Sequence, residues 1–123
     1  MHSVSSNAVA VSKSYSPTEQ KTGGVWIDGK PIYRKTWYSA TNWTDNTVIG
    51  SIPNLDTVIT IKNISKYDAG SAYVVNYQNY GNDGANWSIA YVATNNNVVV
   101  QRGGGFVNSH PSLVIIEYTK TTD

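Results

Sequence analysis

Gly24-Val25-Trp26-Ile27-Asp28-Gly29-Lys30-Pro31-Ile32-Tyr33-Arg34-Lys35 constrains this chain more than any other stretch. Its two apolar-containing arms flank an Asp-Gly pair, the strongest short-range signal for a β-hairpin. A two-residue type I′ turn needs positive φ at both central positions. Gly29 adopts that without strain, and Asp28 does so more easily than most residues. Pro31 has no amide to donate, so one arm is expected at a sheet edge or leaving its ladder early. The pattern predicts a hairpin dividing an irregular lead from a β domain.

The chain downstream continues in the same period. Thr57-Val58-Ile59-Thr60-Ile61-Lys62-Asn63-Ile64 alternates at period two and predicts a strand with Val58 or its neighbours inward and Thr and Lys outward. Further strands are expected at Ser71–Tyr77, at Trp87–Ala93 and at Val98–Arg102. The last two would form a hairpin through Thr94-Asn95-Asn96-Asn97. Lys35–Tyr38 extends the second arm of the first hairpin, and Ser39–Asn46 reads as turn. Leu113-Val114-Ile115-Ile116-Glu117-Tyr118 is nearly continuously apolar, which predicts a central strand. Only the lead has helical spacing, at Val4, Ala8 and Val11, and two turns of one face cannot hold a helix alone in water. The expected fold is all-β: an antiparallel β-sandwich or jelly-roll-like domain over residues 21–123, behind a short helical or irregular lead at 1–20.

Composition narrows the function. The 123 residues fit one domain, and only 14% are charged, against about 25% in an average globular protein. The polar surface must therefore come from Asn, Ser, Thr and Tyr. A net charge of +1 gives no electrostatic footprint for nucleic acid or for an anionic membrane. No run is long and apolar enough for a membrane-spanning helix, and there is no Cys for a disulfide or thiolate metal site. His2 and His110 sit in no catalytic motif, and most acids stand in turns, where Asp serves the backbone. Asn79-Tyr80-Gly81-Asn82-Asp83-Gly84 has the wrong oxygen spacing for a calcium loop, and Ala90 stands where the bidentate Glu belongs. Gly103-Gly104-Gly105 lacks the Lys-Ser/Thr of a phosphate loop. Neither a metal, a cofactor nor an enzymatic site is expected.

What stands out is a set of aromatics and amides in or beside loops. Nine Tyr and four Trp accompany a single Phe. Sugars present apolar C–H faces and many hydroxyls, which aromatic planes and neutral amides match without a charge to desolvate. Trp37, Tyr38, Trp43, Tyr77, Tyr80 and Trp87 lie in or beside loops with Asn42, Asn79, Asn82 and Asn86; of these, Trp37, Trp43, Tyr77, Tyr80 and Trp87 are the candidate stacking platforms, with Asn82 and Asn86 as hydrogen-bond partners. The competing account, that these rings are core or rim of a small β domain, applies to each one singly.

Two stretches also resemble one family. Tyr15-Ser16-Pro17-Thr18-Glu19-Gln20, continuing into Trp26–Lys35, is similar to the "YSTEEQ…GTWIDGKPIYRKT" segment of C-terminal parts of bacteriophage and prophage tail-fibre or receptor-binding proteins. Glu117-Tyr118-Thr119-Lys120-Thr121-Thr122-Asp123 resembles their "YTKTTD" ending, and Ser3–Val9 resembles the "SVTSNAV" stretch preceding such tips. The departures are Pro17 and the run Lys21-Thr22-Gly23-Gly24, and residues 40–112 match nothing in the pattern. The resemblance implies a virion protein at the distal end of a tail fibre or baseplate appendage, phage- or prophage-encoded. It implies a homotrimer that binds host cell-surface polysaccharide or glycoconjugate. It carries over no catalytic residue. It also implies that the chain is the C-terminal piece of a longer fibre, whose lead could bury Val4, Ala8 and Val11 at a three-fold axis. The rival readings are a bacterial carbohydrate-binding or adhesin module, a capsule-cutting tailspike, and a tip that only closes the trimer.

Overall fold

A computed structural model describes residues 15–41, 43–66, 73–75, 88–102 and 111–123. Within them eight strands form two antiparallel sheets, with no helix among the described residues. β1 (Gln20–Val25), β2 (Pro31–Ser39), β4 (Leu55–Lys66), β5 (Tyr73–Val75) and β8 (Ser112–Lys120) make a five-stranded sheet in the order β1-β2-β8-β4-β5. β3 (Thr47–Ser51), β6 (Ser88–Val92) and β7 (Asn97–Arg102) make the second, in the order β3-β7-β6. The expected all-β, sandwich-like architecture is what forms. The helical spacing at Val4, Ala8 and Val11 lies outside the described residues.

β8 is central, as its continuous apolar run requires, hydrogen-bonded to β2 on one side and β4 on the other. The strand pleat sends Val114, Ile116 and Tyr118 inward, each fully buried. Tyr33 and Trp37 of β2 face the same way, opposite Tyr118 and Val114 in register. From the second sheet come Val98, Val100 and Ala90, and Ile52 joins from the β3–β4 connection. The two sheets thus bury one shared core. Each fully buried Val or Ile there contributes about 1.5–3 kcal/mol.

The two hairpins share a geometry that differs from the expected type I′ turn. Val25 pairs with Pro31, and the closing bonds run from the Trp26 amide to the Lys30 carbonyl (2.8 Å) and from the Gly29 amide to the Trp26 carbonyl (2.9 Å). Gly29 alone has positive φ, at 88°, whereas Asp28 does not. This is a three-residue loop, a type I turn closed by a left-handed residue. Asp28 prefers this turn because its Oδ1 accepts the Lys30 amide at 3.0 Å, a bond that serves the backbone locally. The β6–β7 hairpin repeats the pattern: Ala93 and Asn97 close it, Asn95 Oδ1 accepts the Asn97 amide at 3.0 Å, and Asn96 takes the left-handed position at φ 68°. Asn96→Gly is therefore expected to stabilise the protein by about 0.5 kcal/mol, since glycine carries no steric penalty there. Urea unfolding measures it, and a variant less stable than wild type would contradict the shared geometry.

One other expectation shifts. The alternation of β4 is broken by register shifts between Leu55 and Val58 and between Val58 and Thr60. Val58 pairs with Tyr118, but Ile61 and Asn63 then pair with Ile116 and Val114, so Asn63 turns inward and is buried. An added residue re-phases every side chain beyond it. Residues 15–20, assigned by sequence to the lead, lie against the domain. The Ser16 carbonyl accepts the Thr36 amide at 2.8 Å, and Glu19 accepts both the Tyr118 hydroxyl at 2.8 Å and Lys120 Nζ at 3.0 Å.

Candidate ligand-binding cleft

β1 stops pairing with β2 at Gln20 and Arg34, leaving the rest of the β2 edge uncovered except where Ser16 meets Thr36. A cavity of about 340 Å³ opens beside that edge. Tyr15 and Pro17 form one wall, Thr36, Trp37 and Tyr38 of β2 the floor, and Trp43, Ile49 and Leu113 the rest. Ligand clefts begin at about 300 Å³, are mostly apolar and carry a few polar groups. A second cavity of about 200 Å³ lies between Tyr38, Leu113, Ile64, Pro111 and Ser112. Tyr38 and Leu113 border both.

Local structure fixes each wall. The Tyr15 ring lies 4.1 Å from the Arg34 guanidinium carbon, a cation–π contact that holds it over β2. Trp43 is held from β7: its carbonyl accepts Arg102 Nε, and Asp45 Oδ1 accepts the Arg102 amide at 2.9 Å. Asn46 Oδ1 accepts Gln101 Nε2 at 3.2 Å, and the Thr47 hydroxyl donates to the Thr44 carbonyl at 2.7 Å. Trp37 comes from below, its indole filling the space where a side chain at Gly50 would begin. Thr36 is 5% exposed, and its hydroxyl has no hydrogen-bond partner among the described residues. Leaving such a group buried and unpaired costs about 1–3 kcal/mol.

Of the seven residues singled out by sequence, the structure brings Trp37 and Trp43 to one cleft. They stand in different parts of it. Trp37 is 9% exposed and belongs to the core, so it forms the cleft floor and offers no free stacking face. Trp43 is half-buried at the rim. Tyr77, Tyr80, Asn82, Asn86 and Trp87 lie outside the described residues. Tyr38, in the aromatic set by sequence but not among the candidate platforms, is 66% exposed, and Tyr15 is 62% exposed. Alternation could have flagged Tyr38: with Tyr33 and Trp37 inward, the even positions of β2 face out. Tyr15 had no such signal, because its place depends on the Ser16–Thr36 bond across 20 residues of chain.

A charged network lies at the other end of the same sheet. Tyr33 and Tyr118 stack with centroids 6.1 Å apart, and Lys120 Nζ lies 4.7 Å from the Tyr33 ring centre. Lys30 Nζ bonds Asp56 Oδ2 at 2.8 Å and the Lys120 carbonyl at 3.2 Å. The hydrogen bond from Lys30 holds the Asp56 carboxyl below its usual range, and the same bond raises Lys30. The bond to Glu19 raises Lys120. Burial first, then the Glu19 carboxylate, pushes the Tyr118 hydroxyl far above its ordinary value. Among the described residues no three His, Cys, Asp or Glu side chains gather as metal ligands. No family model, curated protein or solved structure matches the chain.

Proposed function

We propose that this chain is the distal tip domain of a bacteriophage or prophage tail fibre, non-enzymatic, attaching the virion to host cell-surface glycan as a homotrimer. One observation carries the reading. The two stretches that resemble fibre tips, 15–35 and 117–123, are far apart in sequence yet neighbours in space, on β1, β2 and β8. Their own residues knit them together through Glu19, Tyr118, Lys120, Tyr33 and Lys30. A frame built from the recurring segments, carrying a centre of different sequence, is the architecture expected where attachment is constant and receptor choice varies. The uncharged aromatic cleft further supports a sugar ligand. Three weak sites per trimer would act through avidity, since linked sites bind far more tightly than one alone.

The test has two arms. Light scattering after size-exclusion chromatography is expected to give three times the chain mass of 13.4 kDa. On an array of bacterial surface polysaccharides the protein is expected to bind a subset, and Trp43→Ala, Tyr80→Ala and Trp87→Ala are each expected to weaken that binding. Circular dichroism checks that each variant folds. Binding untouched by all three removes them as contacts. Release of oligosaccharide from a bound polysaccharide would overturn the non-enzymatic assignment.

A further inference from the structure

The two cavities beside β2 meet along a single cross-strand row. Tyr38 pairs with Leu113, and Leu113 pairs with Ile64, so the three side chains project from the same outward face of the five-stranded sheet. Tyr38, the most exposed of them, stands between the two hollows. We propose that this groove, running from Tyr15 past Tyr38 to Ile64, binds two consecutive units of a neutral glycan, with the Tyr38 ring between the two subsites. The proposal rests on the attachment reading, from which it takes its ligand class, and places a contact on the sheet surface beside those of the central loops.

The lining chooses the ligand. Among the described residues, none bordering either cavity is Lys, Arg, His, Asp or Glu. Arg34, the cation that holds the Tyr15 wall, lies against that ring and 3.9 Å from the Glu117 carboxylate, which shares its charge. An acidic sugar would leave its carboxylate without a counter-charge in this groove, whereas a neutral one has nothing to desolvate beyond its hydroxyls. Apolar sugar faces match the Tyr15, Tyr38 and Trp43 rings and the Leu113 and Ile64 side chains. The polar rim is provided by two groups. One is Thr36 in the cleft floor, whose hydroxyl has no hydrogen-bond partner among the described residues. The other is the β2 edge itself: the alternation that aims the Thr36 amide at Ser16 aims the amide and carbonyl of Tyr38 to the same side. Large exposed rings beside an apolar hollow mark a contact surface more often than a bare exterior.

Three variants of the full chain, run on the same polysaccharide array with its neutral and acidic members, test this. Tyr38→Ala is expected to weaken binding about tenfold, the scale of one lost ring contact. Tyr38→Phe keeps the ring and is expected to bind as wild type. Thr36→Val is expected to weaken binding about fivefold while leaving the thermal midpoint unchanged or higher, because its hydroxyl has no partner among the described residues. A merely structural Thr36 would lower the midpoint and leave affinity alone. Bound members are expected to be neutral. Binding kept by Tyr38→Ala but lost by Tyr80→Ala or Trp87→Ala would overturn this groove and leave glycan attachment standing. Binding confined to acidic members would overturn the neutral assignment, and binding to no member would overturn both readings.

Discussion

Gly50→Ala is expected to destabilise the protein by about 3 kcal/mol, a large loss for the addition of one methyl group. A Cβ at position 50 would sit 2.5 Å from Trp37 Nε1, 2.7 Å from Cε2 and 2.8 Å from Cζ2. The obstacle is the rigid body of an indole, not the end of a flexible chain. Trp37 is buried, and its backbone lies opposite Val114 in the β2–β8 ladder, so the ring cannot swing away without emptying part of the core. Gly50 cannot retreat either, because it pairs with Val98, which is fully buried in the middle strand of the second sheet. The two sheets touch here, and glycine sets their separation. Trp37→Phe removes the ring atoms that clash. It costs stability by itself, but in its background Gly50→Ala is expected to lose at least about 1 kcal/mol less, a coupling typical of residues in direct contact. Urea unfolding of the four proteins gives both numbers. Equal penalties in the two backgrounds would mean that the indole does not lie on Gly50.

The same pair shows what the sequence carried and what it did not. β8 is legible because a strand buried between neighbours can be apolar at nearly every position, and Leu113–Tyr118 is. The core of β4 is legible from its alternation, but the phase is lost at Val58, because an extra residue leaves no mark in a run that is β-branched throughout. β3 was unreadable. Thr47-Val48-Ile49-Gly50-Ser51 offers two apolar residues and a glycine, which argues for a turn when read alone. It is a strand because β7 provides its ladder and Trp37 provides a flat surface that only glycine admits. The burial of Trp37 is hidden in the sequence for the complementary reason. An aromatic near a loop looks available until the residue that makes room for it is known, and that residue is 13 positions away in another sheet.

The candidate site follows the same logic. The chemical class, aromatic and uncharged, was visible in composition, since 14% charge leaves few ways to build a polar surface. The position was not, because a cleft is a property of edges. It arises where β1 ends early, where Ser16 crosses to Thr36, and where the 43–47 turn is tied to Arg102 and Gln101. Each of those depends on contacts between segments that have no reason to be adjacent in sequence. The resembling stretches, by contrast, already contained the frame. Glu19 reads as a surface acid on its own, yet it joins the beginning of the domain to its end.

That junction predicts a steep alkaline limit. The Tyr118 hydroxyl is fully buried and donates to Glu19 Oε1 at 2.8 Å. Burial, then the adjacent carboxylate, keeps it protonated far above the ordinary tyrosine range. In the unfolded chain the same hydroxyl ionises near pH about 10. Below that value both states hold the proton and the contribution is fully present. Above it the unfolded state releases a proton that the folded state keeps, so stability falls by about 1.4 kcal/mol per pH unit for this one group. Tyr33, raised chiefly by its hydrogen bond to Asp123, pulls in the same direction. Lys30 and Lys120 are raised by Asp56 and Glu19, so their contributions also fade as pH climbs through their folded values. Asp56 works in reverse: its lowered carboxyl contributes above the unfolded range and is lost on acidification. Tyr118→Phe separates the first group from the rest. At neutral pH it is expected to cost about 2 kcal/mol, the loss of a bond to a charged acceptor. Above pH about 10 its stability is expected to fall less steeply than wild type by one proton's worth, so that the two curves converge. Urea midpoints taken across that range would show it, and parallel curves would mean that Tyr118 ionises as freely in the folded protein as in the unfolded chain.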